Sequence, residues 1–167
     1  MSQKQIVSYP ARLLLRPSNE VEVFDEALTR LAHDMFETMY AAPGVGLAAP
    51  QVGLSLRFFV MDCDGVRLVA ANPRILDCGG EDLRDEGCLS LRGESAVIKR
   101  PTWVRMRAQD AEGNSFEKEA SGIAARCMFH ETDHCDGILY IKYLSPLKRE
   151  LLVKRFLKSV SNTDPQK

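Results

Sequence analysis

The sequence lacks the features that would assign it to a membrane, to nucleic acid or to the secreted proteins. No stretch approaches the roughly 20 apolar residues of a membrane span. The N-terminal segment has no apolar core long enough for a signal peptide. The 22 basic and 23 acidic residues leave a net charge of −1, so there is no overall attraction to DNA or to a membrane surface. We therefore expect a soluble protein of the cytoplasm, with no membrane and no DNA among its partners.

A disulfide framework is also not expected. The chain has five cysteines, and an odd number without a signal peptide argues against paired thiols. Thiols of this kind are metal ligands or small buried hydrophobic groups. The 167 residues predict one domain spanning 1–167. A chain of that length buries about two thirds of its unfolded surface and needs no covalent staples.

The spacing of apolar residues predicts one helix and two hairpins in the first two thirds of the chain. Apolar residues recur at helical spacing across residues 24–39, and Pro43-Gly44 ends that helix. The segments "RFFVMD" and "VRLVA" flank "CDG" as a hairpin. "WVRMRAQD" alternates, turns at "AEGN" and continues into "FEKEA" as a second hairpin.

Two further helices are predicted near the C-terminus. The segment from Gly122 to Cys135 has no breaker, Ser121 is placed to cap it, and Gly137 stops it. A last helix begins at Ser145-Pro146, with proline at a favoured first position. The order α, β, β, α, α predicts an α+β fold with largely antiparallel sheets.

The helix that ends at Cys135 carries the pattern H-E-x-x-H as His130, Glu131 and His134. Positions i and i+4 lie on one helix face, so the two imidazoles can bind one metal ion. Glu131 is offset around the helix and is better placed to reach a water held by that ion. A metal lowers the pKa of such a water to about 7, and a carboxylate can take its proton.

The third metal ligand is not decided by spacing. The extended motif H-E-x-x-H-x-x-G-x-x-H is absent, because Tyr140 stands at its last position and no histidine follows His134. The candidates are Cys88 in "DEGCLSL", Cys127 one helical turn before the first histidine, and the carboxylate of Glu86.

Three separated motifs resemble those of the peptide deformylase family. They are "GVGLAAPQ" at 44–51, "EGCLS" at 86–90 and "HETDH" at 130–134. Their order and separations make the set highly specific. The resemblance extends to "DMFETMY" before the first motif and "DGILYIKYLSPLKR" after the third. It implies that the sheets pack around a central helix bearing H-E-x-x-H, with a further helix at the C-terminus.

The resemblance also implies a ligand set and a reaction. Cys88, His130 and His134 would hold one divalent ion, ferrous iron in cells and zinc or nickel in purified material. Water would be the fourth ligand. Glu131 would act as general base and then as general acid while the formyl group of an N-formylmethionyl peptide is hydrolysed to formate.

The same resemblance assigns the remaining site residues. The side-chain amide of Gln51 and the backbone N–H of Leu89 would stabilise the oxyanion. Attack on a formyl carbonyl builds negative charge on oxygen, and fixed neutral donors suit it. Gly44, Val45 and Gly46 would pair with the main chain of the substrate as an added strand.

Three positions depart from the family pattern, namely Phe129, Arg92 and Cys135. Phe129 replaces a common glutamine and Cys135 a common leucine, and both are expected to repack the helix. Arg92 replaces a common proline, and we expect it to affect which peptides bind beyond the methionine. Glu86 and Asp133 are either partners of the ligand imidazoles or members of ordinary ion pairs.

The last helix is rich in basic residues: Lys148, Arg149, Lys154, Arg155 and Lys158. The resemblance implies that this helix docks on the ribosome near the nascent-chain exit, and a basic face suits RNA phosphates. A solvated polar face is the alternative.

Two other functions compete with deformylation. One is an endopeptidase that shares H-E-x-x-H, against which "EGCLS" and the missing downstream histidine argue. The other is a non-catalytic binding module, against which Glu131 and Gln51 argue, because neither is needed to hold a metal.

Overall fold

The fold is α+β, and the computed structural model describes residues 3–163. Three helices and seven strands follow in chain order: α1 Glu26–Ala41, β1 Gly46–Ala48, β2 Phe58–Cys63, β3 Val66–Gly79, β4 Asp82–Gly87, β5 Ser95–Arg100, β6 Trp103–Gln109, β7 Ser115–Ser121, α2 Gly122–Cys135 and α3 Pro146–Thr163. No helix in this part of the chain is both long and apolar enough to span a bilayer.

All pairings between strands are antiparallel, as predicted. The larger sheet has the order β1-β2-β3-β6-β7, and β4 pairs only with β5 in a second, two-stranded sheet. The β2–β3 and β6–β7 hairpins confirm the two predicted from alternation. Strands β1, β4 and β5 were not predicted as strands. The sequence of β4, "DLRDEG", gives no apolar alternation because Leu83 is its one apolar side chain.

The large sheet is covered on both faces, which explains why β2 is buried along most of its length. Phe58 and Val60 pack toward α1 in one cluster, whereas Phe59 and Met61 pack toward α2 in another. Successive side chains of a strand point to opposite faces, so a strand between two helices has no polar side. Helix α2 is thus the central helix of the fold, against the sheet face opposite α1.

A third cluster fixes the β4–β5 hairpin against the C-terminal part of the chain. It joins Leu91 and Ile98 of the hairpin region to Tyr140 and to Leu152 and Phe156 of α3. The phenol of Tyr140 also donates a hydrogen bond to the Glu94 carbonyl oxygen at 3.2 Å. This packing holds the segment that follows β4, which carries Cys88, beside α2.

Helix α2 begins and ends at the predicted residues, but one of its two predicted end interactions is not formed. Ser121 occupies the N-cap position, yet its side chain makes no capping hydrogen bond, so the predicted cap interaction is wrong. Gly137 has φ = +71°, and a Cβ there would lie 2.5 Å from the backbone carbon of Arg16. Glycine is required at this position both by the left-handed conformation and by the close approach of another segment.

Candidate metal centre and active site

Helix α2 carries both histidines of the motif into the interior. The rings of His130 and His134 lie with centroids 4.9 Å apart, and both residues are buried. Glu131, which follows His130 in the sequence, is also buried, with 4% of its surface exposed. A helix that buries so many polar groups needs partners for them, and the surrounding elements supply most of these.

The structure brings Cys88, rather than the other two candidates, to the open face of the histidines. Its Sγ lies 3.3 Å from Nε2 of His134. One donor atom from each of Cys88, His130 and His134 falls within 4.8 Å of the others. Cys127 instead directs its thiol to the Val45 carbonyl oxygen at 3.6 Å. Ligand atoms about 2.0–2.3 Å from one tetrahedral ion are separated by roughly 3.5 Å, which these positions suit.

Glu86 lies behind the histidines and accepts hydrogen bonds from three sides. Nδ1 of His130 donates to Oε1 at 2.7 Å, Nη2 of Arg100 donates to the same oxygen at 2.7 Å, and Nη1 of Arg126 donates to Oε2 at 2.9 Å. Burial alone would raise the pKa of Glu86, but these partners hold it well below its usual range. Both expected roles therefore apply to Glu86, as imidazole partner and as ion-pair member.

Asp133 contacts Arg100 and Tyr143, and within residues 3–163 its carboxylate makes no hydrogen bond to a ligand imidazole. Its Oδ2 accepts hydrogen bonds from Nη1 of Arg100 at 2.6 Å and from the phenol of Tyr143 at 2.8 Å. Burial raises the pKa of Asp133, and the nearby guanidinium offsets part of that effect. Arg100 therefore connects α2 to β4 through two buried carboxylates.

The three donors form an environment that favours a bound cation. Burial opposes a charge on His130, yet its hydrogen bonds with Cys88 and Glu86 raise its pKa well above the usual value. The hydrogen bond to Glu86 occupies Nδ1 and leaves Nε2 for the shared face. A thiolate and two imidazoles so arranged fit a divalent transition metal. Burial, together with the neighbouring His130, lowers the pKa of His134 well below its usual value, so that this ring stays neutral.

Glu131 has the properties of an acid–base group at neutral pH. Burial, reinforced by Glu86 and opposed by His130, raises its pKa to about 7. Its Oε2 is buried and has no hydrogen-bond partner within the part of the chain that the structure describes. A carboxyl group with that pKa can accept a proton and return it with little cost in either direction.

Gln51 is held with its amide nitrogen toward the centre. The Ala48 backbone N–H donates to Oε1 at 2.9 Å, which fixes the orientation of the amide. Nε2 then donates to Ser90 Oγ at 3.2 Å and to Cys88 Sγ at 3.5 Å. The sequence analysis did not identify Ser90 as a partner of Gln51. Its position two residues after Cys88 was the only feature of the sequence that pointed to it. Leu89 begins a short 3-10 helix, so its N–H has no partner inside that helix.

Strand β1 is an edge strand beside these groups. Among residues 3–163 it pairs with β2 on one side only. The Val45 carbonyl oxygen accepts a hydrogen bond from the Asp62 N–H of β2, so by alternation the backbone groups of Gly46 face away from β2. A Cβ on Gly46 would lie 2.4 Å from Oε1 of Glu131, and one on Gly44 would lie 2.7 Å from Cδ1 of Leu89. The close neighbours of both glycines are thus side chains of the site itself.

A cavity of about 450 Å³ opens over the centre. It is lined by Gly44–Gly46, by residues 85–89 and 92–94, and by side chains of α2 that include Ile123 and Cys127. Its size suits a methionine side chain and adjoining main chain.

The three residues that depart from the family pattern lie in different places. Arg92 lines the cavity. Phe129 packs on the core cluster of α2 beside the guanidinium of Arg100. Cys135 is fully buried, and burial raises the pKa of its thiol to about 12, which favours its interpretation as a packing residue.

Comparison with known proteins agrees with this geometry. The family model for polypeptide deformylase matches residues 3–150. The chain is 43% identical to a peptide deformylase of Afipia carboxidovorans over 95% of its own length and 96% of that protein. The crystal structure of a peptide deformylase from Legionella pneumophila superimposes with a TM-score of 0.91 at 40% identity, covering 98% of this chain and 99% of that one. This chain belongs to the peptide deformylase family.

Membership of the peptide deformylases establishes the class of reaction. The chain is a hydrolase that acts on the N-terminal formyl groups of nascent peptides. The family is metal-dependent, and Cys88, His130 and His134 form a possible metal site in this member. Another relative of known structure, from Ehrlichia chaffeensis, was crystallised with actinonin and superimposes with a TM-score of 0.89 at 38% identity over 95% of this chain and 98% of that one.

Replacing Arg100 with methionine should destabilise this deformylase strongly. Arg100 is 3% exposed, and its loss leaves Asp133 buried without a cation and Glu86 with one guanidinium instead of two. We expect a loss of about 3–5 kcal/mol in the free energy of unfolding, measured by urea denaturation. Arg107→Met is the control, because the exposed Arg107–Glu117 pair should cost under about 1 kcal/mol. An equal loss of unfolding free energy in the two variants would contradict a stabilising role for the buried Arg100 ion pairs.

Proposed function

We propose that the protein hydrolyses the formyl group of N-formylmethionyl peptides at the centre formed by Cys88, His130 and His134. The observation that carries the proposal is the convergence of those three donors beside the buried carboxyl group of Glu131. A divalent ion bound there supplies Lewis acidity and lowers the pKa of a water molecule. The ligand set suits iron, nickel and zinc, and the preference for ferrous iron in the cell rests on the family resemblance.

Glu131 moves the protons of the proposed reaction. It takes one proton from the attacking water while oxygen bonds to the formyl carbon. It then delivers that proton to the leaving nitrogen as the carbon–nitrogen bond breaks, giving formate and a free amino terminus. A pKa of about 7 supports both steps, because the protonated and ionised forms then coexist near neutral pH.

Gln51 and Leu89 stabilise the negative charge that develops on the formyl oxygen. The amide of Gln51 is oriented by the Ala48 N–H, so its nitrogen does not need to reorganise during the reaction. The Leu89 N–H lies at the start of a 3-10 helix, next to Cys88. Donors fixed in advance stabilise a transition state more than donors that must turn toward it.

The substrate main chain pairs with Gly44, Val45 and Gly46, the segment that leads into the free edge of β1. Support comes from the position of this edge at the cavity, and from Val45, which is 51% exposed. An extended peptide added to a sheet edge gains backbone hydrogen bonds whatever its side chains are. This suits an enzyme that must accept many nascent sequences.

We also propose that one catalytic domain spans residues 1–167 and acts in the cytoplasm. All three core clusters contribute to the position of the centre, which supports a single unit. The cytoplasmic location follows from the proposed substrate, because formylated chains are available there as they are made.

Glu131→Gln should abolish hydrolysis without releasing the metal. Protein purified anaerobically and loaded with one ferrous or nickel ion per chain is assayed for formate release from formyl-Met-Ala-Ser. We expect kcat to fall by at least 10²-fold, since the amide cannot carry the proton. Glu117→Gln, a change on the exposed face of β7, is the control and should be fully active.

Two results of this assay would contradict the proposal. Full activity of the Glu131→Gln protein would remove Glu131 from the reaction. A wild-type protein that holds one metal ion but does not release formate would indicate a binding module, and cleavage of casein by the same protein would indicate an endopeptidase.

We further propose that α3 docks on the ribosome. Leu152 and Phe156 anchor the helix to the third core cluster, while Lys148, Lys154 and Lys158 are exposed. Exposed apolar side chains, among them Leu147 and Leu151, accompany the basic ones. Such a surface combines attraction to RNA phosphates with apolar contact area.

Charge reversal on α3 should therefore weaken co-sedimentation with ribosomes. Lys154→Glu combined with Lys158→Glu is compared with Arg30→Glu combined with Lys118→Glu, which changes the net charge equally on exposed sites elsewhere. We expect binding to fall about tenfold only for the α3 variant, and to fall with added salt in the wild type. Equal binding of both variants would exclude docking through α3.

A further inference from the structure

Arg92 is placed to act on the substrate rather than on the protein. It follows the 3-10 helix Leu89–Leu91, lines the same cavity as Cys88, and is exposed. Within residues 3–163, no ion pair or hydrogen bond involves its side chain. Since the guanidinium stays charged and carries five donors, a group at the cavity that satisfies them must come from outside the protein or from solvent.

Of the four carboxylates that line the cavity, Glu131 lies at the reacting centre and the other three are engaged elsewhere. Glu86 is bound by two buried arginines. Glu94 forms an ion pair with Arg155 of α3 at 2.8 Å. Asp85 accepts a hydrogen bond from Ser95 Oγ at 2.8 Å, across the β4–β5 hairpin. The other arginine of the lining, Arg126, is buried and paired, so the positive charge of Arg92 is the one that faces the open cavity.

Arg92 follows Cys88 by one short 3-10 helix, Leu89–Leu91, which sets its approximate separation from the reacting centre. The reacting end of the peptide must lie at Cys88, and the three intervening residues of a 3-10 helix advance about 6 Å. Two residues of an extended peptide advance about 7 Å. The guanidinium is therefore within reach of the second or third residue of a bound peptide, beyond the methionine.

We propose that Arg92 makes the enzyme prefer formylated peptides with an acidic side chain at the second or third residue. This inference rests on the proposed function and specifies its substrates. The planar guanidinium can hold a carboxylate through two parallel hydrogen bonds, which an asparagine or glutamine side chain cannot match. Because the contact lies away from the reacting bond, it lowers KM and leaves kcat nearly unchanged.

Asp85 modulates this preference. It lines the same cavity and carries a negative charge that its serine partner does not neutralise. That charge repels an acidic substrate. Asp85→Asn should therefore increase the preference for acidic peptides.

The experiment compares two pairs of peptides that differ by one charge: formyl-Met-Asp-Ser with formyl-Met-Asn-Ser, and formyl-Met-Ala-Asp with formyl-Met-Ala-Asn. For the metal-loaded wild type at low salt, kcat/KM should be about three- to tenfold higher for the acidic member of at least one pair, through KM. Arg92→Gln should reduce that ratio to about one. Arg84→Gln, an exposed arginine of β4 outside the cavity lining, should leave the ratio unchanged.

Equal kcat/KM values within both pairs, or a preference that survives Arg92→Gln, would overturn the role of Arg92. Either result would leave the proposed function intact as long as formyl-Met-Ala-Ser is hydrolysed. Failure to release formate from that neutral peptide would instead overturn the proposed function.

Discussion

The hydrogen bond between Glu86 and His130 is the contact on which the centre depends. Glu86 is the last residue but one of β4, two residues before Cys88, and His130 lies in the middle of α2. Holding these two residues together places the thiol against the imidazoles. Arg100 and Arg126 make the arrangement stable, because a buried carboxylate without cations would be expelled or protonated. The network therefore serves assembly and imidazole orientation at once.

The fold supplies the remaining requirements through its edges. The central helix is covered by the sheet on one side. On another side its motif contacts the β4–β5 hairpin, through the His130–Glu86 and Asp133–Arg100 hydrogen bonds. Strand β1 is the edge strand of the larger sheet next to this contact, and its unpaired backbone groups lie at the cavity. Gly46 lets that edge approach the Glu131 carboxylate, at a separation that no side chain would permit. The candidate metal centre and the free strand edge therefore lie at the same cavity.

The sequence predicted the local parts of this arrangement well. The i, i+4 spacing placed His130 and His134 on one face, and alternation located both long hairpins correctly. Spacing could not decide which residue joins the two histidines, because Cys88 lies 46 residues before His134 and reaches it only through tertiary packing. Strand β4 escaped prediction because four of its six residues are charged and only Leu83 has an apolar side chain. The cap expected of Ser121 is absent, because propensity states which residues favour a position and not whether the side chain turns toward it.

The central claim is that Cys88, His130 and His134 bind one metal ion, and X-ray absorption spectroscopy at the zinc edge tests it most directly. Protein loaded with one zinc ion per chain should show one sulfur at about 2.3 Å and two imidazole nitrogens at about 2.0–2.1 Å. The sulfur signal should vanish in Cys88→Ser and persist in Cys127→Ser. A centre without sulfur, or one that loses its sulfur only when Cys127 is replaced, would contradict the account.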